Sequence, residues 1–108
     1  MARRKSKNNS TKKHAPIHPG EVLRHDFMEP MGITAYRLAK GTGISAMQIG
    51  RILRGASGVT AQTALRLARY FGTSPELWMD LQSRYELDTA IDEAGKAIER
   101  EVTPHNAA

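Results

Sequence analysis

The stretch AYRLAKGTGISAMQIGRILR, Ala35 to Arg54, decides the fold. Two short helices joined by a tight turn need a small residue where they cross most closely, and Ala39 stands there. Four residues on, the turn needs a residue that tolerates a positive φ, and Gly43 supplies it. Leu38, Ile44, Ile49 and Ile52 occupy the places that lock the two helices together, and no charged residue falls among them. An ordinary helical hairpin makes the same demands. The pattern alone therefore leaves two readings: a helix-turn-helix from about Thr34 to Gly55, or a structural hairpin in an all-α domain.

Charge favours the first. Residues 30–75 hold Arg37, Lys40, Arg51, Arg54, Arg66 and Arg69 and no acid, and residues 1–20 hold six Lys or Arg and no acid. Residues 76–108 hold eight acids against Arg84, Lys96 and Arg100, although the whole chain of 108 residues carries +5. An acid-free basic middle beside an acidic end is the asymmetry of a nucleic-acid surface joined to a surface of another kind.

Outward from the motif, the punctuation is helical throughout. Pro19 suits the first turn of a helix that runs to about Glu29, buries Val22, Leu23 and Phe27, and stops at Pro30 and Gly32. Thr34 caps a second helix carrying Tyr36, Leu38 and Ala39, and Ser45 caps a third carrying Ile49, Ile52 and Leu53. Thr60 caps a fourth with Ala64, Leu65, Leu67, Ala68 and Phe71, stopped by Gly72. Ser74 and Pro75 open a fifth, whose apolar side is Leu77, Trp78, Leu81, Tyr85 and Leu87. Residues 86–102 are mixed and compatible with continued helix. No β-branched segment alternates with period two, so no strand is expected. The fold class is all-α: five helices with an extended C-terminal segment. Residues 1–15 read as a flexible basic arm, 16–88 as the helix-turn-helix domain and 89–108 as a partly helical extension.

In such a motif the third helix enters the major groove N-terminus first. Ser45, Gln48 and Arg51 recur at i, i+3 and i+6, away from Ile49 and Leu53. Gln48 suits adenine N6 and N7, and Arg51 suits guanine O6 and N7 or a phosphate. Ala46 and Met47 flank them, able to meet thymine methyl groups. Thr34, Arg37, Arg54 and Thr60 are the backbone-contact residues. Taken singly, each polar side chain among these also has a plainer reading: solvation in general, a cap for Ser45 and a C-terminal helix charge for Arg54.

IHPGEVLR, GITAYRLAKGTGIS and TALRLARYFGTSPELWMDLQSRYEL stand in an order that resembles the HigA antitoxins of the XRE helix-turn-helix group. The resemblance spans about Ile17 to Leu87. HPGE and the closing FGTSPELW stretch are more specific than the helix-turn-helix. The resemblance implies a five-helix, lambda-repressor-like bundle that forms a homodimer on a palindromic double-stranded DNA operator, repression of the protein's own toxin–antitoxin operon, and neutralisation of a HigB-type mRNA endonuclease. It matches Ser45, Gln48 and Arg51 to base contacts. It matches Leu77 to Ile91 to dimer contacts, with Leu77, Trp78, Leu81 and Tyr85 as the expected dimerisation residues; Trp78, Leu81 and Tyr85 equally suit the protomer's own core. The chain departs from the group at Ala35 and Ala46, where glutamine is common, and at Gly50, where a polar residue is common. Gly41 lies inside a helix at a cost of about 1 kcal/mol relative to alanine, with no reason visible in the sequence. The basic arm also exceeds the group's short lead-in, and reads either as a DNA-backbone or minor-groove contact or as an inert tail.

Catalysis and metal binding are not expected. There is no cysteine, no nucleophile motif and no glycine-rich phosphate loop. His14 and His18 are four apart, but Pro16 between them breaks the helix that one metal would need. No cofactor is expected. No apolar run approaches the ~20 residues of a membrane span and no apolar stretch follows the basic N-terminus, so a cytoplasmic protein is the reading. Two rivals remain open: a solitary helix-turn-helix regulator without a toxin, and a module whose main task is capture of a basic protein by the acidic end.

Overall fold

Each helix opens on a side chain able to accept from the unpaired amides of its first turn. His18 Nδ1 accepts from the Gly20 amide at 2.9 Å, with Pro19 in the first helical position. Thr34 accepts from Arg37 at 3.1 Å, Ser45 from Gln48 at 3.1 Å, Thr60 from Thr63 at 3.3 Å and Ser74 from Leu77 at 3.2 Å. The computed structural model describes residues 15–106, and residues 1–14 of the expected arm lie outside them. Among the described residues there are five helices and no strand. Helix α1 is continuous through Pro19–Val22, Leu23–Met28 and Glu29–Met31; α2 is Ala35–Thr42, α3 Ala46–Leu53, α4 Ala61–Phe71 and α5 Pro75–Glu101.

Pro30 does not stop α1. The stretch Leu23–Met28 is π-helical, and the Glu29 amide reaches back five residues to the Arg24 carbonyl. A wider turn keeps the carbonyls ahead of Pro30 clear of its ring, and Pro30 needs no N–H partner. The helix ends two residues later, where Gly32 takes φ 65° and the Ile33 amide bonds the Met28 carbonyl at 2.9 Å.

One core joins all five helices. Leu23 from α1, Leu38 from α2, Ile49 and Ile52 from α3, Leu67 from α4 and Trp78 from α5 are each fully buried. Trp78 packs against Phe27 at 5.0 Å with the rings tilted by 48°, lies near Phe71 at 6.2 Å, and donates from its Nε1 to Thr73 Oγ1 at 2.9 Å. This is how a buried indole is accommodated: apolar face in the core, its one donor satisfied. Three residues expected on apolar faces are outside. Tyr36 is 67% exposed, Leu65 58% and Leu87 54%. The apolar stripes of α2, α4 and α5 are thus narrower than their periodicity suggests: Leu38, Leu67 and Trp78 face the core, and Tyr36, Leu65 and Leu87 do not.

Gly41 now has a reason. A Cβ there would fall on the ring of Tyr70, which lies over the α2 backbone with Cδ1 only 2.9 Å from that position. The Arg66 guanidinium crosses from α4 to bond the Thr42 carbonyl at 3.0 Å, satisfying the C-terminal end of α2. Helix α5 runs without a break through residue 88, so the extension expected from residue 89 is helical as far as Glu101. At 1.5 Å per residue it is about 40 Å long, and it accounts for much of the molecule's 56 Å extent. No described helix is both long and apolar enough to cross a membrane.

Candidate nucleic-acid interface

The turn of the motif is built as its sequence requires. Gly43 adopts φ 76°, and its amide bonds the Ala39 carbonyl at 3.0 Å. Thr42 Oγ1 donates to the Leu38 carbonyl at 2.7 Å and accepts from the Ile44 amide at 3.1 Å, closing the corner between α2 and α3. With Ile49 and Ile52 fully buried, the opposite edge of α3 must face out.

That edge carries Ser45, Ala46 and Met47, all exposed, with Met47 at 76%, and then half-buried Gln48 and exposed Arg51. Ser45 is committed as the cap of α3 through its oxygen, which leaves its O–H to donate. The Arg51 Nε donates to Ser57 Oγ at 2.9 Å, which holds the side chain and leaves the terminal nitrogens of the guanidinium free. Arg54, at the end of the same helix, has its guanidinium over Gly50: a Cβ at Gly50 would sit 3.2 Å from Arg54 Nη1. Glycine here gives the arginine room. Thr34 and Thr60 are both exposed N-caps, so their hydroxyls sit beside free helix amides, and Arg37 lies exposed on the first turn of α2. Anions are favoured at such ends. Between residues 30 and 75 no acid opposes them.

The back of α3 is held by residues whose part was not visible in the sequence. Gly20 approaches so closely that a Cβ on it would fall on the Ile52 carbonyl oxygen. Buried His18 packs edge-on against Tyr85 of α5 at 4.8 Å. Gln82 is buried and accepts from the Val59 amide at 2.8 Å, in the loop between α3 and α4. HPGE and the LQ–Y spacing are the visible signal for all three. Their roles depend on pairings across the fold, which spacing does not encode. Of the expected dimerisation residues, Trp78 is wholly inside the protomer, and Leu77, Leu81 and Tyr85 are half-buried. Among the described residues no cluster of three His, Asp or Glu side chains is arranged to hold a metal.

A helix-turn-helix family profile matches residues 25–78. The chain is 47% identical over 74 residues to virulence-associated protein I of Dichelobacter nodosus, covering 68% of each chain. It is 36% identical over 75 residues to antitoxin HigA-1 of Vibrio cholerae, covering 69% of this chain and 70% of that one. Among solved structures it is similar to Pseudomonas aeruginosa antitoxin HigA with the higBA promoter, at 46% identity and a TM-score of 0.81, over 83% of this chain and 98% of that one.

Proposed function

The chain belongs to the helix-turn-helix family and, within it, to the HigA antitoxins, and on that premise we propose that it is a sequence-specific DNA-binding antitoxin. It represses its own toxin–antitoxin operon from a palindromic operator and neutralises a HigB-type mRNA endonuclease. The observation that carries this reading is the exposed outer edge of α3, set in a segment, residues 30–75, that holds six Lys or Arg and no acid. Ser45, Ala46, Met47, Gln48 and Arg51 read bases, and Thr34, Arg37, Arg54 and Thr60 hold the backbone. The protein works as a non-enzymatic binder, in the cytoplasm where the operator is. Titrating the DNA upstream of its own reading frame against an unrelated fragment tests it. Specific binding should be on the order of a thousandfold or more tighter, and co-production should relieve growth arrest by the adjoining gene product. Equal affinity for both fragments overturns the repressor reading. Tight operator binding without relief of arrest leaves the solitary regulator.

The operator-bound form is a homodimer in this proposal. Leu87, Ile91, Ile98 and Val102 are exposed and recur at i, i+4, i+11 and i+15, with half-buried Ala94 at i+7. Leu87, Ile91, Ala94 and Ile98 form one apolar stripe on the part of α5 that leaves the bundle, with Val102 just past its end as the C-cap, and a second copy of the same stripe suits it. Ile91→Glu with Ile98→Glu should convert the dimer to a monomer in sedimentation, with α5 still helical by circular dichroism. A double variant that sediments as the parent does removes the stripe from the interface.

A further inference from the structure

We infer that Gln82 is a positioning residue for DNA recognition, setting the operator preference of α3 from the far side of the protomer. The inference rests on the reading of Arg51 and Thr60 as DNA-facing. Gln82 lies on α5, buried between Trp78 and Tyr85 on the stripe that faces the bundle. Its Oε1 accepts from the Val59 amide at 2.8 Å, and its Nε2 donates to Glu86 Oε2 at 2.7 Å. Both ends of the amide are therefore fixed, and the amide cannot flip without losing both bonds.

What Gln82 holds is the loop between α3 and α4. Gly58 packs directly on it: a Cβ there would lie 2.6 Å from Nε2 and 2.7 Å from Oε1. One residue before Gly58, Ser57 accepts from Arg51 Nε at 2.9 Å, and its own amide bonds the Arg51 carbonyl at 3.2 Å. One residue after Val59, Thr60 caps α4. The same short segment thus orients the arginine on the reading edge and the hydroxyl at the neighbouring helix end. Gln82 ties this segment to α5 by accepting from the Val59 amide. The role is geometric: the guanidinium is free at its tip, so its direction is set by Ser57, and Ser57 is held on one side by its amide's bond to the Arg51 carbonyl and on the other by a loop clamped at Val59. A loose loop leaves the charge near the DNA but spreads its direction, which weakens base reading more than phosphate attraction.

The test uses the full chain, the DNA upstream of its own reading frame and an unrelated fragment of equal length. Gln82→Met keeps the side chain's volume and removes both hydrogen bonds. It should weaken operator binding about tenfold and unrelated-fragment binding less than roughly threefold, since about one base contact is disturbed. Loss of the Val59 amide's hydrogen-exchange protection should accompany it. A merely structural role lowers the folded fraction and shifts both affinities by the same factor, so an unchanged ratio overturns the inference. Gly58→Ala approaches from the other side, displacing the Gln82 amide without removing it, and should lower the same ratio. Glu86→Ala, at the exposed end of the network, keeps the core intact and should lower the ratio in a stably folded protein. A parent-like ratio in Glu86→Ala and Gly58→Ala together overturns the inference even if Gln82→Met does not fold. If the parent chain itself fails to prefer the upstream DNA, the repressor reading falls first. If the parent does prefer it and the variants match the parent, only the role of Gln82 falls.

Discussion

Replacement of Gly20 by alanine is expected to destabilise the fold by about 3 kcal/mol. One added methyl group has this effect because of what it would strike. The Cβ would fall on the Ile52 carbonyl oxygen and come within 2.9 Å of the carbonyl carbon, both backbone atoms of α3. That oxygen already accepts the Gly55 amide at 3.0 Å in the turn that ends the helix, so it cannot swing aside without undoing the turn. His18 Nδ1 stands 3.1 Å away on another side, held by the Gly20 amide itself. Helix α1 must back away from α3, and the contact of Leu23 with the core opens with it. Thermal unfolding should fall by on the order of 15 °C for a domain of this size. Operator affinity should fall as well, because α3 is the helix displaced. A Gly20→Ala protein that melts within a few degrees of the parent would show that α1 can slide over α3 and that HPGE is not a packing motif.

Gly20 of HPGE meets a partner 32 residues away, and nothing local in the sequence marks that contact. Thr34, Ser45, Thr60 and Ser74 were legible as caps because a cap bonds an amide three residues away, and local chemistry is written locally. Gly43 was legible for the same reason. Tyr36, Leu65 and Leu87 were misplaced because periodicity shows that a helix has an apolar side but not how wide a neighbour covers it. Pro30 looks like a stop in the sequence because a π-helical turn leaves no mark in the pattern. Gly41 had no account because its partner, Tyr70, comes from α4. The reading edge followed from the motif, since Ile49 and Ile52 had to point inward. The supports of that edge did not. Arg51 meets Ser57 through a loop, and Gln82 meets Val59 across 23 residues, and each looks like an ordinary polar residue until the chain is folded.

Joint replacement of Gln48 and Arg51 by alanine should weaken operator binding at least a hundredfold, about 2.8 kcal/mol. Each matched side chain contributes on the order of 1–3 kcal/mol of discrimination when it reads a base bidentately. Helical stability should hardly change, since Arg51 is exposed and the Ser45 cap bonds the backbone of residue 48, not its side chain. The two residues are one turn apart, so their effects need not add, and the single variants separate their tasks. Arg51→Ala distinguishes guanine from phosphate. If Arg51 reads guanine, preference at one base pair relaxes. If it grips phosphate, affinity falls evenly across sequences and the salt slope drops by about one. The Ser57 bond orients the guanidinium with its terminal nitrogens free, the arrangement a bidentate contact to guanine O6 and N7 requires. The remaining edge is poor in hydrogen bonds: Ala46 has none to offer, Met47 has only a thioether and Ser45 is half committed to its cap. A double variant that held the operator within threefold of the parent would take both residues off the reading edge. Recognition would then rest on the deformability of the operator itself.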